Sequence, residues 1–482
     1  MFRQFFKDSA IYGLAGVLTR AMSLLLLPLY TRVLMPTDYG VVDFIAVLTS
    51  LVNLTVALEI SQGLARALGD TEEPAERHCY ASTALWFTIV AYSLFAIVAL
   101  ILAEPLSTLL LDSPAHTLAI RIGTISAWFG GLVYLVQNQL RWDLRARETA
   151  ILGGTIALFT LGSSVVLVIE LHLGVAGVLL AQALGLAIGL LIGLRFAWGS
   201  FRLVFDWAKC REMLHFSIPL VPSGIGVFVT LYIDRIAIKE LLTIADLGIF
   251  GTGYRIASVV SLLMVGFQGA LTPLVYANHR DSNAPRDLAR IFRYFVAGAL
   301  MLIAGLSLFA RELLFVFASA AYAQAALVVP FLALALLLSN MYIFAPGLGL
   351  ARRTGVVAVI NVGGALINTG LNLLLIPRLG IVGAALATMI SAGCIFGAYM
   401  IFSQWLYYVP HQWTRLSAAV ATTVAIVTVG TCVVANLWIS IPIKLALVAL
   451  LAVIFVALRL IEREKLQEVL VRAMRLRTFS WM

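Results

Sequence analysis

The chain has 482 residues, of which 62% are hydrophobic and only 12% charged, and its net charge is +9. Soluble domains are roughly 45–50% apolar and about a quarter charged, so a soluble fold is excluded and an all-α polytopic membrane protein is expected. The positive charge fits the loops of such a protein and implies no nucleic-acid partner.

A span needs about 20 apolar residues, and the chain offers about fourteen. The first, over 10–33, follows Arg3 and Lys7 and is too long for the core of a cleaved signal peptide. It carries Arg20, with Gly13, Gly16 and Ser23 on the same helical face. The second, 40–61, carries Asp43, Ser50 and Asn53 close to one stripe, and Glu59 near its end. Four more follow at 80–103, 117–140, 149–170 and 174–197, the fourth with Gln137 and Asn138 near its end. A basic amphipathic stretch, FRLVFDWAKCREMLHF (201–216), leads into the seventh span, 213–233. Pro219 and Pro222 interrupt its start, and Ser223, Gly226, Thr230 and Asp234 line one face. The eighth, 247–276, aligns Gly248, Thr252, Arg255 and Ser258. Spans at 291–310 and 324–346 precede the eleventh, 355–376, which aligns Asn361, Gly364, Asn368 and Asn372. The last three are 381–406, 414–437 and 441–460. The tail from Arg459 to Arg477 fits a basic interfacial helix or a plain polar tail.

With both termini cytoplasmic, the inner segments hold 24 Lys and Arg against six in the outer ones, among them Arg235, Lys239 and Lys444. This is the positive-inside bias. The first half also matches the second at an offset of 206–208 residues. LGVAG (173–177) aligns with LGIVG (379–383), Gly185 and Gly189 with Gly393 and Gly397, Asp38-Tyr39-Gly40 with Asp246-Leu247-Gly248, and Ser9 with Ser217. The paired glycines have the spacing that lets helices approach closely. A duplicated six-helix unit gives two pseudo-symmetric lobes around a central cavity: an N-lobe over 1–200, a linker over 201–212 and a C-lobe over 213–408. Two extra helices follow over 409–461, then a basic tail over 462–482.

Arg20 and Arg255 face the expected cavity, and neither has an acid three or four residues away. Deep guanidinium groups of this kind suit an anionic ligand such as a phosphate. The Asn and Ser stripes fit interhelical hydrogen bonds as well as ligand contacts, and Asp234 beside Arg235 fits a structural ion pair as well as a site. Cys79, Cys210, Cys394 and Cys432 form no CxxC pair, so no disulfide or metal is expected. With no GxxxxGK[ST] and no HExxH, the chain reads as a transporter without a cofactor, not an enzyme.

Two stretches, RAMSLLLLPLYTRVLMPTDYG (20–40) and DRIAIKELLTIADLGIFGTGYRIAS (234–258), with PLVYA at 273–277, carry a resemblance. The chain resembles the polysaccharide transporters, or Wzx-type flippases, of the multidrug/oligosaccharidyl-lipid/polysaccharide exporter superfamily. The resemblance implies alternating access in the cytoplasmic membrane and export of oligosaccharide repeat units on undecaprenyl pyrophosphate, for O-antigen, capsule or exopolysaccharide. It implies that Arg20 and Arg255 hold the pyrophosphate or acidic sugars, and that Asp43, Asn53, Asp234, Asn361 and Asn368 are cavity hydrogen-bonding residues. A coupling cation (proton or sodium), a polymerase and a chain-length regulator are the further partners it implies, beside membrane lipids. A multidrug extruder of the same superfamily wants buried carboxylates where this chain has Arg20. A lipid II flippase differs only in the sugar, and a non-transporting scaffold needs no polar cavity.

Overall fold

The computed structural model describes residue 22 and residues 24–278, 281–432 and 437–460. Among these the ordered elements are helical. They run α1 (Leu24–Val33), α2 (Pro36–Thr55), α3 (Ile60–Asp70), α4 (Pro74–Ile101), α5 (Ala103–Leu111), α6 (Thr117–Trp142), α7 (Ala146–Ser164), α8 (Gly174–Phe196), α9 (Trp207–Ser217) and α10 (Val221–Leu241). The second half runs α11 (Ile244–Ala257), α12 (Val259–Asn278), α13 (Ala284–Leu308), α14 (Ala310–Phe317), α15 (Val329–Asn340), α16 (Gly347–Leu350), α17 (Thr354–Leu379), α18 (Ile381–Leu406), α19 (Trp413–Cys432) and α20 (Leu437–Ala457).

Twelve of the described helices are long and apolar enough to cross a membrane, and thirteen if the pair bent by 52° at Val328 is one span. They correspond in order to the second through fourteenth expected spans. The first expected span lies mostly outside the described residues and contributes only α1. The chain is therefore an all-α polytopic membrane protein, as its composition requires. One boundary differs: α2 ends at Thr55, and Leu58 and Glu59 turn the chain with φ of 50° and 53° before α3. Glu59 thus sits in a turn, where burial raises its carboxyl pKa.

The helices pack as two compact units. One comprises Met1–Thr252, Phe317–Tyr322 and Ala365–Ala387; the other comprises Gly253–Val316, Ala323–Gly364 and Thr388–Met482. In the first, Leu132, Val136, Leu140, Leu152 and Leu190 form an apolar centre. The amphipathic stretch after α8 becomes α9, capped by the Asp206 carboxylate on the amides of Ala208 and Lys209. It lies against α3 so closely that a Cβ on Gly63 would sit 2.5 Å from the Met213 carbonyl oxygen. In the second unit, the Phe344 ring packs at a tilt against Phe292 and Phe295, with ring centres 5.0 and 4.9 Å apart.

Three backbone features repeat along the chain. The Asp38 carboxylate accepts the Met35 amide, and the Asp246 carboxylate accepts the Thr243 amide, so α2 and α11 start with the same N-terminal lock. Leu144 and Arg352, 208 residues apart, both adopt positive φ in the helix-ending turn whose two amides bond back across the last turn. Gly174 and Gly380, 206 apart, are the positive-φ glycines among the described residues.

Candidate functional site: a charged network among α2, α10 and α17

A span has few ways to carry charge. A carboxylate or guanidinium buried away from water must find a partner or it is strongly destabilising. In the first unit, α2, α10 and the second half of α17 bring several such groups together. The Asp43 carboxylate pairs with Arg235, Nε to Oδ2 being 3.1 Å, and both side chains are about nine-tenths buried. The next residue back, Asp234, is also buried and accepts a hydrogen bond from Asn372 Nδ2 at 2.8 Å. The same Asn372 nitrogen lies 2.7 Å from Asn368 Oδ1 and 3.0 Å from the Asn368 carbonyl oxygen. The Arg235 guanidinium also lies over the Tyr232 ring, 5.6 Å from its centre, and Tyr232 Oη accepts from Ser50 Oγ at 3.2 Å.

The glycines of α11 make room for this arrangement. A Cβ on Gly251 would lie 3.0 Å from the Asp43 carboxylate. At the starts of the two helices, a Cβ on Gly40 would lie 1.9 Å from the Ile244 carbonyl oxygen, and one on Gly248 2.0 Å from that of Pro36. The Asp-x-Gly repeats therefore meet each other, backbone against backbone. Asp43 lies three residues beyond Gly40, about 4.5 Å along α2 at 1.5 Å per residue.

Of the residues singled out from sequence, Asp43, Asp234 and Asn368 belong to this network. Asn53 lies ten residues further along α2, half-buried, and accepts from Tyr92 Oη at 3.0 Å. Asn361 is exposed in the other unit, with its Nδ2 3.4 Å from Tyr399 Oη. Arg255 is half-buried in the last turn of α11, also in the second unit. Arg20 lies outside the described residues, as does the tail beyond residue 460.

Three cations expected at the surface are instead buried. Arg235, Lys239 and Lys444 are 7%, 8% and 3% exposed. Lys239 Nζ pairs with Asp112 at 3.1 Å, and Lys444 pairs with Glu312, which Ser440 also supports. Burial opposes ionisation of Glu312, but the hydrogen bonds and the charge of Lys444 prevail and lower its pKa. These cations fall near span ends, where length alone cannot separate a loop charge from a buried one. Asn372 was legible as a stripe member, but its bond to Asp234 crosses 138 residues.

The polytopic helical fold is shared with solved membrane proteins. The lipid II flippase MurJ in an inward closed conformation superimposes with a TM-score of 0.69 at 14% identity, over 92% of this chain and 98% of that one. An inward-facing multidrug resistance MATE family transporter of the MOP superfamily gives 0.62 at 15% identity, over 85% of this chain and 95% of that one. Residues 5–279, more than half of the chain, match the family model described as polysaccharide biosynthesis protein, and the chain belongs to that family. It is also 22% identical over 397 residues to the probable low-salt glycan biosynthesis flippase Agl15 of Haloferax volcanii, covering 80% of each chain.

Proposed function

We propose that the protein is a flippase that moves undecaprenyl-pyrophosphate-linked oligosaccharide units from the cytoplasmic to the outer leaflet by alternating access. The observation that carries the reading is the Asp43–Arg235 and Asp234–Asn372 network inside a bundle of this family. Deep polar groups are costly in hydrocarbon and mark polar pathways there. A large sugar headgroup cannot cross hydrocarbon unless protein groups replace its water.

In this reading the repeat forms two lobes, over 1–200 and 213–408, around the sugar path, and the protein sits in the cytoplasmic membrane with both termini inside. Burial of Arg235, Lys239 and Lys444 supports that orientation, because it removes half of the six outer cations from the solvent count. Arg20 and Arg255 hold the pyrophosphate. Asn53 and Asn361 meet sugar hydroxyls. Asp43, Asp234 and Asn368 act one step back, fixing α2 against α10 and α17. The pyrophosphate carries about two negative charges, and its outward movement gains about 2.3 kcal/mol per charge per 100 mV of potential. The potential itself then favours export.

Gene deletion followed by mass spectrometry of extracted lipids tests the reading. The expected result is accumulation of a complete undecaprenyl-pyrophosphate repeat unit, with loss of the surface polymer. Accumulation of a pentapeptide-bearing lipid instead identifies a lipid II flippase. Intact polymer with heightened sensitivity to cationic drugs identifies an extruder.

A further inference from the structure

A second polar feature lies wholly in the other unit, and the inference from it is independent of what the protein transports. A cavity of about 390 Å³ opens between the start of α13 and the turn before α19. Its polar walls are Arg286, Arg290 and Arg293, spaced four and three residues apart on one face of α13, and Gln412 opposite. Pro410 and Leu416 supply apolar surface. The Gln412 amide oxygen accepts from Arg293 at 3.3 Å and from Arg415 at 2.8 Å, which fixes the far wall against α13. Arg286 and Arg290 are exposed and Arg293 is half-buried.

The depth of the cavity can be read from its neighbours. Trp405, Tyr408 and Trp413 are 76%, 73% and 49% exposed, and they bracket Pro410 in sequence. Exposed aromatic residues gathered at the ends of apolar helices mark the boundary between membrane and water. The cavity therefore opens at the level of lipid headgroups. Its volume falls in the usual range of small-ligand sites, and its guanidinium groups match phosphate oxygens in charge and geometry. Basic pockets among spans at this depth suit anionic headgroups. The geometry points to a binding site for the phosphodiester headgroup of an anionic phospholipid, held by Arg286, Arg290 and Arg293, with the acyl chains running beside Leu416.

The test uses the full-length protein in phosphatidylcholine nanodiscs, titrated with phosphatidylglycerol and read by native mass spectrometry. The wild type retains phosphatidylglycerol in preference to phosphatidylcholine. The R286Q/R290Q variant loses roughly thirtyfold in that affinity, while R286K/R290K keeps most of it. Binding is compared among the folded proteins, with the melting temperature of each recorded. A photoactivatable phosphatidylglycerol on the wild type labels residues 286–293 and 410–416. Unchanged binding in R286Q/R290Q, or labelling elsewhere, overturns the proposal. Displacement by excess inorganic phosphate would make the cavity a site for free anions. Preferential labelling by a polyprenyl diphosphate would make it part of the substrate path. Either outcome overturns the phospholipid assignment.

Discussion

The same pairing of helices occurs twice in this chain with opposite chemistry. In the first copy α1 meets α7 through a neutral contact, Tyr30 Oη to Ser164 Oγ at 2.8 Å. In the second copy α10 meets α17 through Asp234, Asn372 and Asn368. Ser164 and Asn372 are 208 residues apart, so they are repeat partners. Asp43 and Gly251 are partners as well, and so are Leu27 and Arg235. Leu27 is 1% exposed, an ordinary core residue. The two corresponding contacts therefore differ in kind, a hydroxyl pair in one and a charged network in the other. A hydroxyl pair costs little to bury. An ion pair in a span costs a great deal unless its geometry is good, so the charged copy carries the greater constraint.

The largest expected effect comes from breaking that charged copy on one side only. Arg235→Ala or Asp43→Ala takes one partner from a buried ion pair, a loss of about 3–5 kcal/mol. We expect a large fall in melting temperature in detergent and in membrane abundance. The double variant should lose less than the sum of the two singles. A double variant as unstable as the added singles would show that the two residues act separately.

Next in size is the contact where the two copies touch. Gly248→Ala places a methyl group on the Pro36 carbonyl, which is backbone and cannot swing aside. Overpacking of this kind costs about 3 kcal/mol. Gly298→Ala, with nothing among the described residues within 4 Å of its Cβ, is the control. Equal melting temperatures for the two would refute the close contact of α2 with α11.

The neutral and charged contacts can then be compared directly. Asn372→Leu removes one partner from buried Asp234 and should cost about 1–3 kcal/mol, whereas Ser164→Ala should cost about 1 kcal/mol. If the reading proposed for the network is right, Asn372→Leu also lowers polymer export at matched protein level, and Ser164→Ala does not. Equal loss of export in both would make the two contacts equivalent in function.

How much of this was readable in advance follows from the kind of signal each feature leaves. The spans were legible because twenty apolar residues in a row have few other uses. The repeat was legible because Asp38 and Asp246 lock helix starts, and Gly174 and Gly380 turn the chain with φ of 54° and 59°. Those are local demands that only certain residues meet. The shift of offset from 208 to 206 also has a local basis. The first copy has two more residues between Leu144 and Gly174 than the second has between Arg352 and Gly380. Within that stretch it widens into a π-helix over Val165–Glu170 and turns at His172 with φ of 50°, as inserted residues often require. The Asp43–Arg235 pair was not legible, because its members are 192 residues apart and no local rule links them. Arg235 looked like a surface charge for the same reason.

The smallest expected effect tests a part of the repeat where sequence suggested more likeness than there is. Gly185 and Gly189 of α8 align with Gly393 and Gly397 of α18, and the spacing suggests close helix packing in both. In α8 that packing is present. A Cβ would meet Thr160 Oγ1 at 2.1 Å from Gly185, and Ile156 Cγ1 at 2.4 Å from Gly189. At the α18 pair it is absent among the described residues: a Cβ on Gly393 finds only Leu338 at 4.0 Å, and one on Gly397 finds nothing within 4 Å. Gly189→Ala should therefore cost about 1–3 kcal/mol, because the Ile156 side chain has to move. Gly397→Ala should leave stability unchanged or raise it by up to about 1 kcal/mol, since alanine is the better helix former. Melting curves of the two variants decide the matter. A destabilising Gly397→Ala would mean that α18 is closely packed at Gly397 after all, and the two copies would be alike there.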